Sequence, residues 1–259
     1  MKCGIVVFPG SNCDHDVYHV LGHLLGVETS LLWHEATEIG EAELIVVPGG
    51  FSYGDYLRAG ALAAQSPILG AVRAHAERGG LVLGICNGFQ ILQEGGLLPG
   101  AMRKNKSLRF ECRDVHLRVG RNDLPFTSGY DTGAILKMPI AHAEGNYEDT
   151  PAGLAKTEAG GQVVFRYVSP DGELADAWNV NGSARAIAGV TNEGGNVLGM
   201  MPHPERCAEE VLGNSDGLAL FAGLVGGGRQ ARLLAAAGTA GSRVVRGDVQ
   251  SSMPDAGSP

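Results

Sequence analysis

Clusters of basic residues are missing from this sequence. Its 20 Lys and Arg are outnumbered by 28 Asp and Glu, for a formal net charge of -8, and no stretch gathers the cations needed to neutralise a nucleic-acid backbone. Small molecules and proteins are therefore the expected partners. Long apolar runs are also missing. The first one, residues 3–8, breaks at Pro9-Gly10-Ser11-Asn12; it is too short for a signal-peptide core and carries no cleavage-site pattern. No segment approaches the length of a membrane span, so a cytoplasmic location and no membrane association are expected. The five cysteines are an odd number without paired metal-ligand spacing, which argues against a disulfide framework and against a zinc site. Neither Gly-x-Gly-x-x-Gly nor Gly-x-x-x-x-Gly-Lys occurs, so no phosphate-cradling loop is expected.

What is present reads as one α/β domain. A chain of 259 residues with 44% hydrophobic content can bury a single sizeable core. Short β-branched runs predict strands over 4–8, 28–33, 43–48 and 81–85, interleaved with helical patterns over 16–25 and 66–78 and a helix over 87–94. Ser66-Pro67 reads as an N-cap followed by a first-turn proline, and Gly79-Gly80 ends that helix. Continuous apolar strands of this kind fit a mostly parallel sheet covered on both faces. In the second half, strands predicted over 115–119, 134–140, 163–168, 184–190 and 197–201 follow one another directly, which reads as added antiparallel structure and not as a second domain. A helix over 215–224 closes the unit. The domain is expected to span 1–226, followed by a Gly/Ala/Ser-rich tail, 227–259, with the composition of a disordered segment and room for a marginal helix over 230–237.

Cys86 carries the chemistry. In Gly84-Ile85-Cys86-Asn87-Gly88 a cysteine stands between a strand and a helix with glycine two residues away on either side, the pattern of a nucleophile elbow. At a helix N-terminus a thiolate is favoured by the helix dipole. A thiol nucleophile needs a base and a group to orient that base. His203 and Glu205, in Met201-Pro202-His203-Pro204-Glu205, can supply both if they leave a strand end pointing the same way. His142, in Ala141-His142-Ala143-Glu144-Gly145, is the rival base, and Cys13, between a strand and a helix, is the second candidate nucleophile. His15, His19 and His23 lie four apart on one predicted helix and are read as a helix face. Two backbone amides are needed for an oxyanion hole. Asn87 offers one by position, and Gly49-Gly50-Phe51 can offer the other.

Taken together, Gly84-Ile85-Cys86-Asn87-Gly88-Phe89-Gln90, Pro202-His203-Pro204-Glu205 and Pro48-Gly49-Gly50 resemble the class I glutamine amidotransferases. The segments 8–14, 49–58, 139–145 and 199–206 narrow the resemblance to the glutaminase subunits of phosphoribosylformylglycinamidine synthase. It runs from Met1 to about Gly226, with Asn179-Val180-Asn181-Gly182-Ser183 departing from the Asn-Pro-Asn-Gly-Ser of many members. The resemblance implies a flavodoxin-like, open, mostly parallel sheet flanked by helices. It also implies a Cys86-His203-Glu205 triad that hydrolyses L-glutamine to glutamate and ammonia. Gly50, Phe51, Asn87, Gln90, His142 and Glu144 would face the oxyanion or the bound glutamine. The ammonia would pass to a large synthetase subunit that converts formylglycinamide ribonucleotide to formylglycinamidine ribonucleotide, and whether a third, small subunit joins is left open. No cofactor or metal is expected on this chain; ATP and magnesium would belong to the synthetase.

Overall fold

The computed structural model describes residues 1–226. The tail expected over 227–259 and the marginal helix expected over 230–237 lie outside the described residues. From the N-terminus the elements are β1 (Lys2–Val7), α1 (Asp14–Tyr18), β2 (Glu28–Trp33), β3 (Leu44–Val47), α2 (Ile68–Glu77), β4 (Leu81–Ile85) and α3 (Asn87–Glu94). Then come β5 (Ala101–Arg103), β6 (Glu111–Val119), β7 (Ile135–His142), β8 (Asn146–Glu148), α4 (Pro151–Ala159), β9 (Val163–Val168), β10 (Ile187–Thr191), β11 (Val197–Met200) and α5 (Leu218–Gly226).

A nine-stranded sheet runs in the order β2-β1-β3-β4-β11-β10-β9-β6-β7. The pairings from β2 across to β11 are parallel, and those beyond it are antiparallel. Every residue of β3 and of β11 is buried, as strands covered by helices on both faces must be. The expected architecture, a mostly parallel sheet with antiparallel additions, is the one observed. Among the described residues no helix is long and apolar enough to cross a membrane.

Several local expectations are corrected. The helix predicted over 16–25 is α1 followed by a π-helical stretch, His19–Leu24. On it His19 and His23 face each other through their Nδ1 atoms at 3.2 Å, while His19 Nε2 lies 2.7 Å from Glu209, an acidic partner supplied from far along the chain. Ser66 makes no side-chain cap to α2; its hydroxyl lies 3.2 Å from the Tyr53 hydroxyl instead. The strand expected over 184–190 starts as a 3-10 turn, Ala184–Ala186, with Arg185 at φ 54. Helix α4 was not anticipated, although Thr150-Pro151 marks its start: Pro151 opens the first turn and Thr150 Oγ1 accepts the Gly153 N–H at 3.0 Å. The small sheet of β5 and β8 also went unread, because three-residue strands leave no period to detect.

The register of the central strands positions the site. Val47 of β3 pairs with Gly84 of β4, and Met200 of β11 pairs with Ile85 of β4. Three parallel neighbours thus end at one edge, where ligands bind in open α/β sheets. Their continuations are Gly49-Gly50, Cys86 and His203. Strand β7 is last in the order, yet its Pro139 carbonyl accepts the His203 N–H at 2.9 Å, so the antiparallel extension curls back over this edge.

Candidate active site

Cys86 joins β4 to α3 with φ 50 and ψ -106, a positive φ that costs a residue with a side chain of order 1–3 kcal/mol. Packing holds it there. A Cβ on Gly88 would overlap the Val47 carbonyl, and one on Gly84 would meet the Gly88 carbonyl oxygen at 2.9 Å. The two glycines therefore let helix and strand approach closely enough to turn the chain at Cys86. The cysteine is 4% exposed, and its Sγ lies 3.7 Å from the Ala141 carbonyl oxygen.

His203 and Glu205 meet by a route other than strand alternation. Strand β11 ends at Met200, and the two residues are brought together across the 3-10 turn Pro204–Arg206. His203 Nδ1 lies 2.5 Å from Glu205 Oε1, with both side chains buried. His203 Nε2 and Glu205 Oε2 make no hydrogen bond. Burial pushes the His203 pKa down, but the Glu205 carboxylate and the nearby Cys86 and Cys13 sulfurs outweigh it and hold the pKa well above its ordinary value. The imidazolium form of His203 is the state this arrangement favours.

The rival base is a different kind of group. Asn105 donates its Nδ2 hydrogens to the carbonyls of Arg109 and His142, leaving Asn105 Oδ1 to accept from the Gly145 N–H and from His142 Nδ1, the latter at 3.1 Å. His142 is therefore the neutral Nδ1–H tautomer, with Nε2 buried and unpartnered. Burial and the charge of His203 drive its pKa down to about 4, too weak a base to take a thiol proton. Asn181 steadies the same loop by donating Nδ2 to the Gly145 carbonyl at 2.6 Å.

The remaining sequence-derived residues surround the elbow. Asn87 Oδ1 accepts the Ser52 N–H at 3.1 Å, and Asn87 Nδ2 donates to Gln90 Oε1 at 2.9 Å. Gln90 Nε2 donates in turn to the Glu144 carbonyl at 2.5 Å, so both ends of the Gln90 amide have protein partners. The first amides of a helix have no intrahelical acceptor, which leaves the Asn87 N–H open. The Phe51 N–H is already bonded to the Gly10 carbonyl at 3.1 Å, so Gly50, at φ 143, is the donor candidate in that segment. Its neighbour Gly49 has no room for a side chain, since a Cβ there would lie 2.7 Å from His203 Cε1.

Two features escaped sequence reasoning. Asp55 is raised to about 6 by burial and by the charge of Glu144, and its Oδ1 accepts from Asn87 Nδ2 at 3.4 Å. Cys13, considered only as an alternative nucleophile, caps α1 with φ -104 and lies within the same cluster as His203 and Glu205. Arg206 Nη2 donates to its Sγ at 3.0 Å. Both depend on long-range contacts that no local spacing reveals. A cavity of about 620 Å³ lined in part by Glu158, Arg166 and Arg185 lies elsewhere and includes none of these residues.

Comparison with known proteins agrees with this geometry. Residues 1–217 match the CobB/CobQ-like glutamine amidotransferase domain. Phosphoribosylformylglycinamidine synthase subunit PurQ of Rhodopseudomonas palustris (strain HaA2) is 54% identical over 226 residues, covering 87% of this chain and 97% of the relative. The PurQ subunit of Synechococcus elongatus is 58% identical over 225 residues, covering 87% and 98%. Among solved structures, a chain of PurLQS from Thermotoga maritima superposes with a TM-score of 0.76 at 46% identity, covering 86% of this chain and 97% of that one. The chain belongs to the glutamine amidotransferase family and, within it, to the PurQ subunits of phosphoribosylformylglycinamidine synthase.

Proposed function

We propose that the chain is the glutaminase subunit of a phosphoribosylformylglycinamidine synthase, acting through Cys86, His203 and Glu205. The observation that carries the reading is the convergence at one sheet edge of a cysteine held at positive φ and a buried His203–Glu205 pair. The Cys86 thiolate attacks the side-chain amide carbon of L-glutamine, and the oxyanion is met by the Asn87 and Gly50 N–H groups. Collapse breaks the C–N bond, and the imidazolium of His203 gives its proton to the departing ammonia. His203, now neutral, takes a proton from the water that hydrolyses the thioester, releasing glutamate and restoring the thiolate beside the imidazolium. Glu205 fixes the His203 ring and stabilises its charged form. Asp55 and Glu144 form the anionic corner suited to the α-ammonium of glutamine, and the neutral His142 lines the same pocket.

The ammonia goes to the large synthetase subunit, where ATP and magnesium act; this chain itself takes no cofactor. Phe51, Tyr56, Leu57, Leu108 and Phe110 are exposed apolar side chains, and the Phe51 ring, next in sequence to Gly50, stacks on Phe110 at 6.2 Å. Such a rim fits a surface covered by a partner. A cytoplasmic location accords with five free cysteines. The test is the reconstituted complex with Cys86→Ala. It should lose synthesis from glutamine and keep synthesis from added ammonia; synthesis from glutamine at the wild-type rate would refute the assignment.

A further inference from the structure

We propose that Cys13, His203 and Glu205 also form a site for Zn²⁺, and that the ion, when bound, switches the glutaminase off. One ligand atom from each residue, a sulfur, an imidazole nitrogen and a carboxylate oxygen, lies within 4.8 Å of the other two, and all three residues are buried. The donors of a tetrahedral zinc site sit about 3.3–3.6 Å apart, given metal–ligand bonds of about 2.0–2.3 Å. A rotamer adjustment within the cluster therefore closes it around an ion. The mixed sulfur, nitrogen and oxygen set suits zinc better than magnesium or calcium, which take oxygen ligands.

A second observation points the same way. His203 Nε2 and Glu205 Oε2 are buried with no hydrogen-bond partner, whereas buried polar atoms are normally satisfied. Catalysis accounts for one of them, because Nε2 is the atom that would exchange a proton with Cys86. It does not account for the carboxylate oxygen, nor for a second thiol against the triad. Arg206 donates to Cys13 Sγ at 3.0 Å and must turn that donor away before the sulfur can bind an ion. Its charge also opposes a cation, which makes the site a reversible one and not a permanent structural centre.

Binding displaces one proton from the Cys13 thiol and one from the His203 imidazolium, RSH + ImH₂⁺ + Zn²⁺ giving (RS–Zn–ImH)⁺ + 2 H⁺, with no change of oxidation state. Either way of coordinating His203 stops turnover. Zinc on Nε2 occupies the base itself; zinc on Nδ1 displaces the Glu205 hydrogen bond and leaves Nε2 carrying the remaining proton. The effect on turnover rests on the role proposed for His203, while the binding itself does not. Sequence spacing gave no hint of this site because Cys13 comes from the start of α1, whereas His203 and Glu205 come from the turn after β11.

The test uses the full chain carrying Cys86→Ala, so that the nucleophile contributes no sulfur. Titrated with Co²⁺ as a spectroscopic stand-in, it should develop sulfur-to-cobalt charge-transfer absorption together with the visible bands of a four-coordinate ion. Adding Cys13→Ser, which preserves volume, should abolish the sulfur band and weaken Zn²⁺ binding at least tenfold, with the melting transition showing that the chain stays folded. In the complex with Cys86 intact, Cys13→Ser should need at least tenfold more Zn²⁺ to halve its own zinc-free rate. No sulfur band in the Cys86→Ala chain, or the same zinc affinity with and without Cys13, would overturn the binding site. A normal band with unchanged zinc inhibition in Cys13→Ser would overturn the switch.

Discussion

His203 Nδ1 lies 2.5 Å from Glu205 Oε1, two residues on along a single 3-10 turn, with both side chains out of contact with water. Burial alone would leave His203 neutral, and the Glu205 carboxylate is the largest of the influences that reverse this. Glu205→Gln removes that influence and so lowers the His203 pKa. If turnover requires the imidazolium, activity is lost as pH rises through that pKa. The alkaline limb of the glutaminase pH profile should therefore move to lower pH in Glu205→Gln, with kcat reduced about 10²- to 10⁴-fold. An unchanged limb and rate would remove Glu205 from the mechanism.

Asp55 gives a prediction in which stability and function separate. Its carboxyl is raised from 3.8 to about 6, so the folded chain holds this proton more tightly than the unfolded chain does. Between those values the unfolded state binds fewer protons, and stability falls as pH rises. Asp55→Asn should raise the melting temperature near neutral pH and have little effect near pH 4. If Asp55 and Glu144 receive the α-ammonium, the same change should raise KM for glutamine about ten- to hundredfold while altering kcat far less. Thermal melts across pH and steady-state kinetics measure the two effects separately.

The elbow depends on close approach, and Gly88→Ala tests it. The added methyl would fall on the Val47 carbonyl, a rigid strand atom that cannot step aside. A loss of about 1–3 kcal/mol is expected from overpacking of this kind, together with a displaced Cys86 and a large loss of glutaminase activity. Denaturant unfolding and kinetics on the same preparation would show both.

Leu57 is 74% exposed and stands at φ 70 beside the site. Leu57→Glu should leave the melting temperature of the isolated chain nearly unchanged and weaken its association with the synthetase, measured by titration calorimetry. Undiminished association would take this rim out of the interface.

The elements around Cys86 were legible in the sequence, and the long-range contacts of the site were not. The glycine bracket of Cys86 names a tight turn because only small residues fit between β4 and α3, and those two elements lie at 81–85 and 87–94 as expected. His203 and Glu205 were picked out by residue type and spacing, although the geometry that joins them is a 3-10 turn and not a strand. His142 looked equally basic in sequence. Only the fold shows that Asn105, 37 residues earlier, fixes its tautomer and that burial strips its basicity. The settings of Asp55 and Cys13 were hidden for the same reason: burial and the distant Glu144 act on one, and the distant Arg206 donates to the other.

The central claim, that Cys86 forms the covalent bond to glutamine, is tested most directly by trapping the intermediate. The complex is turned over with carbon-labelled glutamine, quenched in acid, digested and read by mass spectrometry. The account predicts a labelled glutamyl thioester on the peptide that carries Cys86 and none on the peptide that carries Cys13. Label on Cys13, or steady-state turnover with no label on Cys86 under conditions that preserve thioesters, would contradict it.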